Sequence, residues 1–488
     1  MKEVFYQQGK NRASKRLLDY VWNEAFMLSA GYSFSQIHSA FYSLIAIQQA
    51  VLNVKYDPIY WNTARLLVES SSVQFLNEQL DFVETEEEEE EEKEKKKNSS
   101  VDYFKMASAI GAIRNFGVEI APPNINKSNF TFKPDAEQNK IWFGIKGVSR
   151  IGDQIIHEIM SKRPYSSLQD FLSKVKVNKI QATMLIKSGA FDEFNTRENL
   201  INEYCDSQAD KKKQLNLQNA QRLIDLELFP ESLKEYQDIY KLTKHLKKYF
   251  KFGDLIVPDQ NMWNYIRMFD FDDIKVRENE EYIEVSSWEK WYKKKMDVLR
   301  DYIKSNHDEL LEKVNKAAVD ELLNKYGQGN IAQWEMEALS YYHGVHELEY
   351  PEYREWLEKL RVVGFEELDE EPYIEWEGSN GAKKFELHRI VGTAIGRDKQ
   401  KGIVGLLTPS GFLKVKVHKS MFLRLDKQIK DESGTEKSWF SKGTKLLLSG
   451  YRLGDEFKVK IYKNHPHGQA IYKIDTPGQL TSKRKGEI

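Results

Sequence analysis

Between Gly31 and Pro58 the chain reads GYSFSQIHSAFYSLIAIQQAVLNVKYDP. After the opening glycine, Ala40, Leu44, Ile47, Ala50 and Val51 recur near i, i+4 spacing, which predicts an apolar helix over Ser39 to Asn53. A second periodic run, Ala13 to Phe26, precedes it, so two helices joined by a turn at Gly31 are expected. Gly31, Tyr32, Phe34, His38, Ser39 and Tyr42 gather where that turn enters the helix. His38 and Tyr42 have the chemistry to hydrogen-bond or stack on a nucleotide. Periodicity alone fits an ordinary helical hairpin with a satisfied histidine equally well.

At 488 residues the chain is long enough for about three domains. It has neither a run of about 18 apolar residues nor the basic, apolar and small-residue succession of a signal peptide. A cytoplasmic protein without membrane partners is therefore expected. Cys205 is the only cysteine, which excludes an internal disulfide and a cysteine-rich zinc site. The net charge of -2 conceals a strong asymmetry, because residues 381–488 carry 23 Lys and Arg against 10 Asp and Glu. That excess marks the C-terminal region as a polyanion-binding surface. In contrast, Glu86 to Glu92 form an unbroken acidic run, and residues 84–100 are expected to be a solvated insertion.

Two further segments place glycine turns between short helical stretches. The first is Phe143 to Gly152, with Lys146, Gly147, Val148, Ser149 and Arg150 in the turn. The second is Leu185 to Asp192, with Lys187, Ser188, Gly189 and Ala190 in the turn. This is a tandem helix-hairpin-helix signature. Glycine admits a close backbone approach to phosphate, and the following helix offers free N–H groups and a favourable dipole. Such contacts hold DNA without reading its sequence. Ser149 takes a place where glycine is usual, which predicts a first turn poorer in positive backbone torsion and a tighter grip by the second.

From Phe385 onward the pattern shifts to short alternating runs. Residues 388–395, 402–407, 412–417, 445–451 and 457–462 predict five strands separated by glycine and polar turns, hence a small barrel. With its positive charge, such a barrel suits single-stranded DNA. Arg397, Lys399, Lys414, Lys416, Arg452, Lys458 and Lys460 are the candidates to track phosphates, and Phe412, Phe457 or Tyr462 to stack on bases.

Taken in order, these motifs resemble the C-terminal portion of the alpha subunit of bacterial DNA polymerase III, the family C replicative polymerases. In that family a Gly-Tyr-x-Phe turn leads into a helix with His, a small residue and then Tyr, close to the incoming nucleotide. Here the match is carried by Gly31 to Tyr42 and by the WNEAFMLSAGY approach. It continues through Lys55-Tyr56-Asp57-Pro58, Phe116-Gly117-Val118, Ile120 to Ser128, the two hairpins, and Trp334 to His346. Gln36 departs from it, since the family usually has a basic residue there.

The resemblance implies a mainly α-helical multidomain chain ending in an OB-fold barrel. Fingers helices occupy residues 1–83 and a connecting segment 101–140. The tandem hairpins follow over 141–205, a helical connector with an insertion over 206–380, the barrel over 381–475 and a basic tail over 476–488. It implies DNA-directed DNA synthesis on a primer-template duplex and its single-stranded template. Two Mg2+ ions would be held by palm carboxylates that this sequence does not contain. The sequence therefore reads as one half of a split polymerase whose palm-bearing chain is a partner, inactive alone and with no metal ligands of its own. A non-catalytic DNA-binding or replisome-tethering protein derived from such an enzyme is the alternative.

Asp225-Leu226-Glu227-Leu228-Phe229 resembles the peptide by which replication enzymes bind the sliding clamp, with Leu228 and Phe229 filling an apolar pocket. Leu223, Leu226 and Phe229 also share helical spacing, so a buried helix face is the competing reading. Met268 to Asp273 imitates a metal-binding aspartate pair but lies in the insertion, where a polar turn is expected. His343 and His346 lack a carboxylate or cysteine set beside them and are expected to be structural.

Overall fold

The computed structural model describes residues 2–26, 36–69, 103–114, 117–251, 254–277, 280–379, 381–427, 429–430 and 436–482. The chain divides into two compact units. One comprises Met1–Pro123, Lys127–Gly147 and Leu348–Ile488; the other comprises Asn124–Asn126 and Val148–Glu347.

In the first unit the run Ala13 to Phe26 becomes an α-helix over Lys15–Tyr20 that passes into a π-helical turn over Val21–Phe26. Ser14 starts it by accepting a hydrogen bond from the Leu17 N–H. The expected apolar helix is present over Gln36–Lys55, longer at both ends than periodicity indicated. The turn residues Gly31, Tyr32 and Phe34 lie outside the described residues, as does the acidic run.

The barrel closes as five strands: β1 (His388–Asp398), β2 (Ile403–Thr408), β3 (Gly411–Lys416), β4 (Lys445–Leu453) and β5 (Glu456–Val459). β1 pairs antiparallel with both β2 and β4, β2 with β3, and β5 with β4, while β3 and β5 run parallel and complete the ring. Alternation sends Ile390, Val404, Leu406, Leu413, Val415, Leu446, Leu448 and Phe457 inward. Each such side chain contributes about 1.5–3 kcal/mol on leaving water. Gly450 is required where β4 meets β5, since a Cβ there would lie 2.1 Å from the Lys458 carbonyl oxygen. Strands Ile471–Thr476 and Gln479–Thr481, absent from the sequence expectation, extend the sheet beyond β4. The helix Lys419–Asp426 adds Phe422 and Leu425 to the core.

In the second unit the hairpin helices are Asp153–Ser161, Leu168–Lys174, Lys179–Lys187 and Arg197–Gln208. Their starts follow side-chain caps: Ser167 accepts from the Asp170 N–H, Thr196 from Asn199, and Asn178 forms a reciprocal box with Gln181. The inserted region builds on the long helices Lys234–Leu246, Val285–Ser305 and His307–Tyr326, with two apolar cores. Its abundant aromatics pack against one another, with Phe271, Trp288 and Trp291 ring centroids 4.8–5.4 Å apart.

Candidate nucleic-acid interface

Of the first hairpin, Lys146 and Gly147 belong to the first unit, and Val148 onward to the second. Lys146 is half-buried with its ammonium 5.9 Å from the Phe130 ring centroid. Val148 is buried, Ser149 donates its N–H to the Ala338 carbonyl at 2.7 Å, and Arg150 is exposed. The positive torsion expected of glycine is taken by Arg150, at φ 68, rather than by Ser149. Gly152 then starts the Asp153–Ser161 helix with no side-chain cap, and a Cβ placed on it would meet nothing within 4 Å. The helix start therefore has open space before it, which suits close approach of a phosphate.

The second hairpin is built tightly and faces inward. Gly189, at φ 86, ends the Lys179–Lys187 helix: its N–H bonds the Ile186 carbonyl and that of Ala190 bonds Leu185, the paired closure of a helix C-terminus. Lys187, Ser188, Gly189 and Ala190, expected to grip phosphate, are all buried. The Lys187 ammonium pairs instead with Glu337 at 2.6 Å. Beside it Arg197 pairs with Asp192 and with Glu335, each at 2.9 Å, and fills the space a side chain on Gly189 would need. Burial works against the Arg197 charge, but Asp192 and Glu335 outweigh it and raise its pKa. Glu335 is buried and its other oxygen accepts the His343 and Gly344 N–H groups. The helix Ile331–Leu339 thus supplies Ala338 to the first hairpin and Glu335 and Glu337 to the second. Arg197 and Glu335 escaped the sequence reading because they are 138 residues apart.

On the barrel, a cleft of about 690 Å³ is lined by Lys399, Lys401, Lys416, Lys419, Lys458 and Lys460 over Val417, Phe422 and Val459. Lys401, Lys419 and Lys460 are exposed. Lys458 pairs with Glu456, while Lys399 and Arg397 pair with Asp426. Lys414, one strand position pair away from Lys416 on β3, is also exposed. Arg452 departs from the phosphate-tracking expectation. It is buried, with its guanidinium 4.5 Å from the Phe365 ring centroid and hydrogen-bonded to the Leu368 and Gly454 carbonyls. Phe457 is core rather than platform, and Tyr462 is half-buried with its hydroxyl accepting the Phe385 N–H at 2.7 Å. Lys401 and Lys419 were missed because they flank strands rather than sit in them. Trp376, 52% exposed on a strand ahead of the barrel, was missed too, although the Ser379-Asn380-Gly381 turn after it signals a hairpin.

His38, Ser39 and Tyr42 are exposed on the Gln36–Lys55 helix, with the His38 and Tyr42 rings 4.6 Å apart edge to face. Of the clamp-like peptide, Phe229 is buried in the inserted core, 5.6 Å from the Tyr302 ring. Leu226 and Leu228 pack against the same core, while Asp225 is exposed. The stretch is buried without being a helix face, since the Ala220–Asp225 helix ends before it, with Leu226 as its C-cap and Glu227 at φ 54. Asp270 pairs with Lys295 at 2.7 Å and Phe271 is buried, as a polar turn anchored by one aromatic. His346 is buried with its ring 4.3 Å from Tyr342. Among the described residues no group of three or more His, Cys, Asp or Glu is placed to hold a metal ion, and no helix is long and apolar enough to cross a membrane.

Residues 117–200, which contain both hairpins, match the family model described as helix-hairpin-helix motif. The chain is 34% identical over 97% of its length to the probable DNA polymerase YorL of Bacillus subtilis (strain 168), and equally to the DNA-directed DNA polymerase of Bacillus phage SPbeta. It spans 37% of the length of each of these relatives. Over 41% of the chain it is 30% identical to the DNA polymerase III subunit alpha of Thermus aquaticus, covering 14% of that protein.

Proposed function

We propose that this chain, related to DNA polymerases along nearly all its length, is a DNA-handling portion of a template-directed DNA polymerase. That relationship is the observation that carries the reading. The first hairpin holds the duplex backbone through Arg150 and the open start of the Asp153–Ser161 helix. The lysine cleft on the barrel takes the phosphates of the single-stranded template. The Gln36–Lys55 helix presents His38 and Tyr42 toward the incoming nucleotide. Nucleotidyl transfer would draw on two magnesium ions, which palm carboxylates outside these 488 residues would hold and which, when bound, would supply charge stabilisation for the transfer. The open helix start and the exposed Lys401, Lys419 and Lys460 of the cleft support the two DNA roles, because they present positive potential at the surface.

The test is binding to a primer-template across a salt series, with primer extension run in parallel by the chain alone and with a co-expressed palm-bearing polypeptide. The reading expects binding whose log affinity falls linearly with log salt, and extension only in the mixture, reduced by His38→Ala. In the triple variant Lys401→Gln, Lys419→Gln, Lys460→Gln, the slope on single-stranded DNA should flatten by about 0.7 for each phosphate that a lysine no longer neutralises. No binding to either DNA at low salt would overturn the reading.

A further inference from the structure

The barrel cleft opens beside an aromatic and basic surface that its lysines do not account for. Lys460, at one end of the cleft, lies 5.9 Å from the Tyr462 ring centroid. The Lys384 ammonium lies 5.8 Å from the same ring and 5.7 Å from the ring of Trp376. Trp376 and Lys384 face each other across the antiparallel hairpin Ile374–Glu377 with Lys383–Phe385. That hairpin is tied to the chain just past β5 by the Tyr462 hydroxyl, which accepts the Phe385 N–H at 2.7 Å. Phe385 in turn packs 4.6 Å from Tyr451 on β4. A continuous line therefore runs from the lysine cleft through Lys460, Tyr462 and Lys384 to Trp376, all within the first unit.

An indole more than half exposed on a strand has an apolar face that its own fold leaves wet. A cross-strand lysine over an exposed tryptophan stabilises a hairpin weakly, and it does not require the hairpin to be held against the barrel. Alternating cations and aromatic faces at such spacing are what unpaired nucleotides need: the cations meet phosphates, and a π-face accepts any base. Glu377, the next residue on the strand, is offset by Lys383 at 3.6 Å.

We propose that Trp376 is a base-stacking platform that extends the single-stranded DNA path out of the lysine cleft. The proposal rests on the reading that the barrel takes single-stranded DNA. Its experiment separates the two. The full chain is titrated with an oligo-dT long enough to span the cleft and the hairpin, and with an abasic strand of equal length, following intrinsic tryptophan fluorescence and, separately, anisotropy of a labelled strand. Wild type should bind oligo-dT with quenching. Trp376→Ala should lose most of that quenching and bind oligo-dT about 10-fold more weakly, as expected for removal of one stack. Its affinity for the abasic strand should be unchanged, and Trp376→Tyr should recover most of the oligo-dT affinity. Because Trp376 is exposed, the circular dichroism of each variant should match wild type. Equal oligo-dT binding by wild type and Trp376→Ala would overturn the platform and leave the cleft standing. An equal loss on both strands would also overturn it, since the effect would not involve bases. No binding by wild type to either strand would remove both.

Discussion

The two helix-hairpin-helix turns carry similar residues in opposite surroundings. In the second, the cation, the glycine and the hydroxyl-bearing residue are buried, and Lys187 and Arg197 are answered by Glu337, Asp192 and Glu335. In the first, Arg150 is exposed and the helix starting at Gly152 opens onto free space. The Ile331–Leu339 helix makes the difference, because it presents a backbone carbonyl to one turn and two carboxylates to the other. A carbonyl consumes one N–H and leaves the arginine to solvent, whereas the carboxylates draw both cations inward. The same motif is thus open to solvent at one site and tied into the fold as a structural knot at the other.

That contrast is open to attack by substitution. The largest effect is expected at Arg197→Ala, which leaves Glu335 buried without its partner; urea unfolding should show a loss of about 3–5 kcal/mol. If the loss is within error, the second turn is not a knot. Gly189→Ala forces a side chain into a left-handed backbone and to within 2.4 Å of the Arg197 guanidinium, so stability should fall by about 1–3 kcal/mol. The matching Gly152→Ala meets no atom and should cost less than about 1 kcal/mol, alanine being a poorer N-cap residue. It should nevertheless weaken duplex binding by crowding the helix start. Smallest is Arg150→Gly, which relieves a left-handed arginine and should raise the unfolding free energy by about 0.5–1 kcal/mol while weakening DNA binding. A variant that gained stability and kept full affinity would remove Arg150 from the interface.

The barrel was legible because strand alternation and glycine turns are local signals. The five expected runs fall within three residues of β1 to β5 at every end. The helix over Gln36–Lys55 was legible for the same reason. The role of each lysine was not. Lys187 and Lys460 are alike as letters, and only the fold brings Glu337, 150 residues away, onto Lys187. Arg452 was misread similarly, since alternation put it on a strand but could not show Phe365 and the Leu368 carbonyl waiting behind it. Phe229 is a mixed case: its spacing with Leu223 marked it as buried, which it is, but the helix behind that spacing ends at Asp225 and Glu227 turns the chain at φ 54 before Phe229 is reached.

The central claim is that the first turn, not the second, meets the DNA backbone. It is tested most directly by the salt dependence of duplex binding for Arg150→Gln and Lys187→Gln, measured beside their urea midpoints. The account predicts that Arg150→Gln flattens the slope by about 0.9 with its midpoint unchanged. Lys187→Gln should keep the wild-type slope and unfold at lower urea. A flattened slope for Lys187→Gln, with Arg150→Gln binding as wild type, would contradict it.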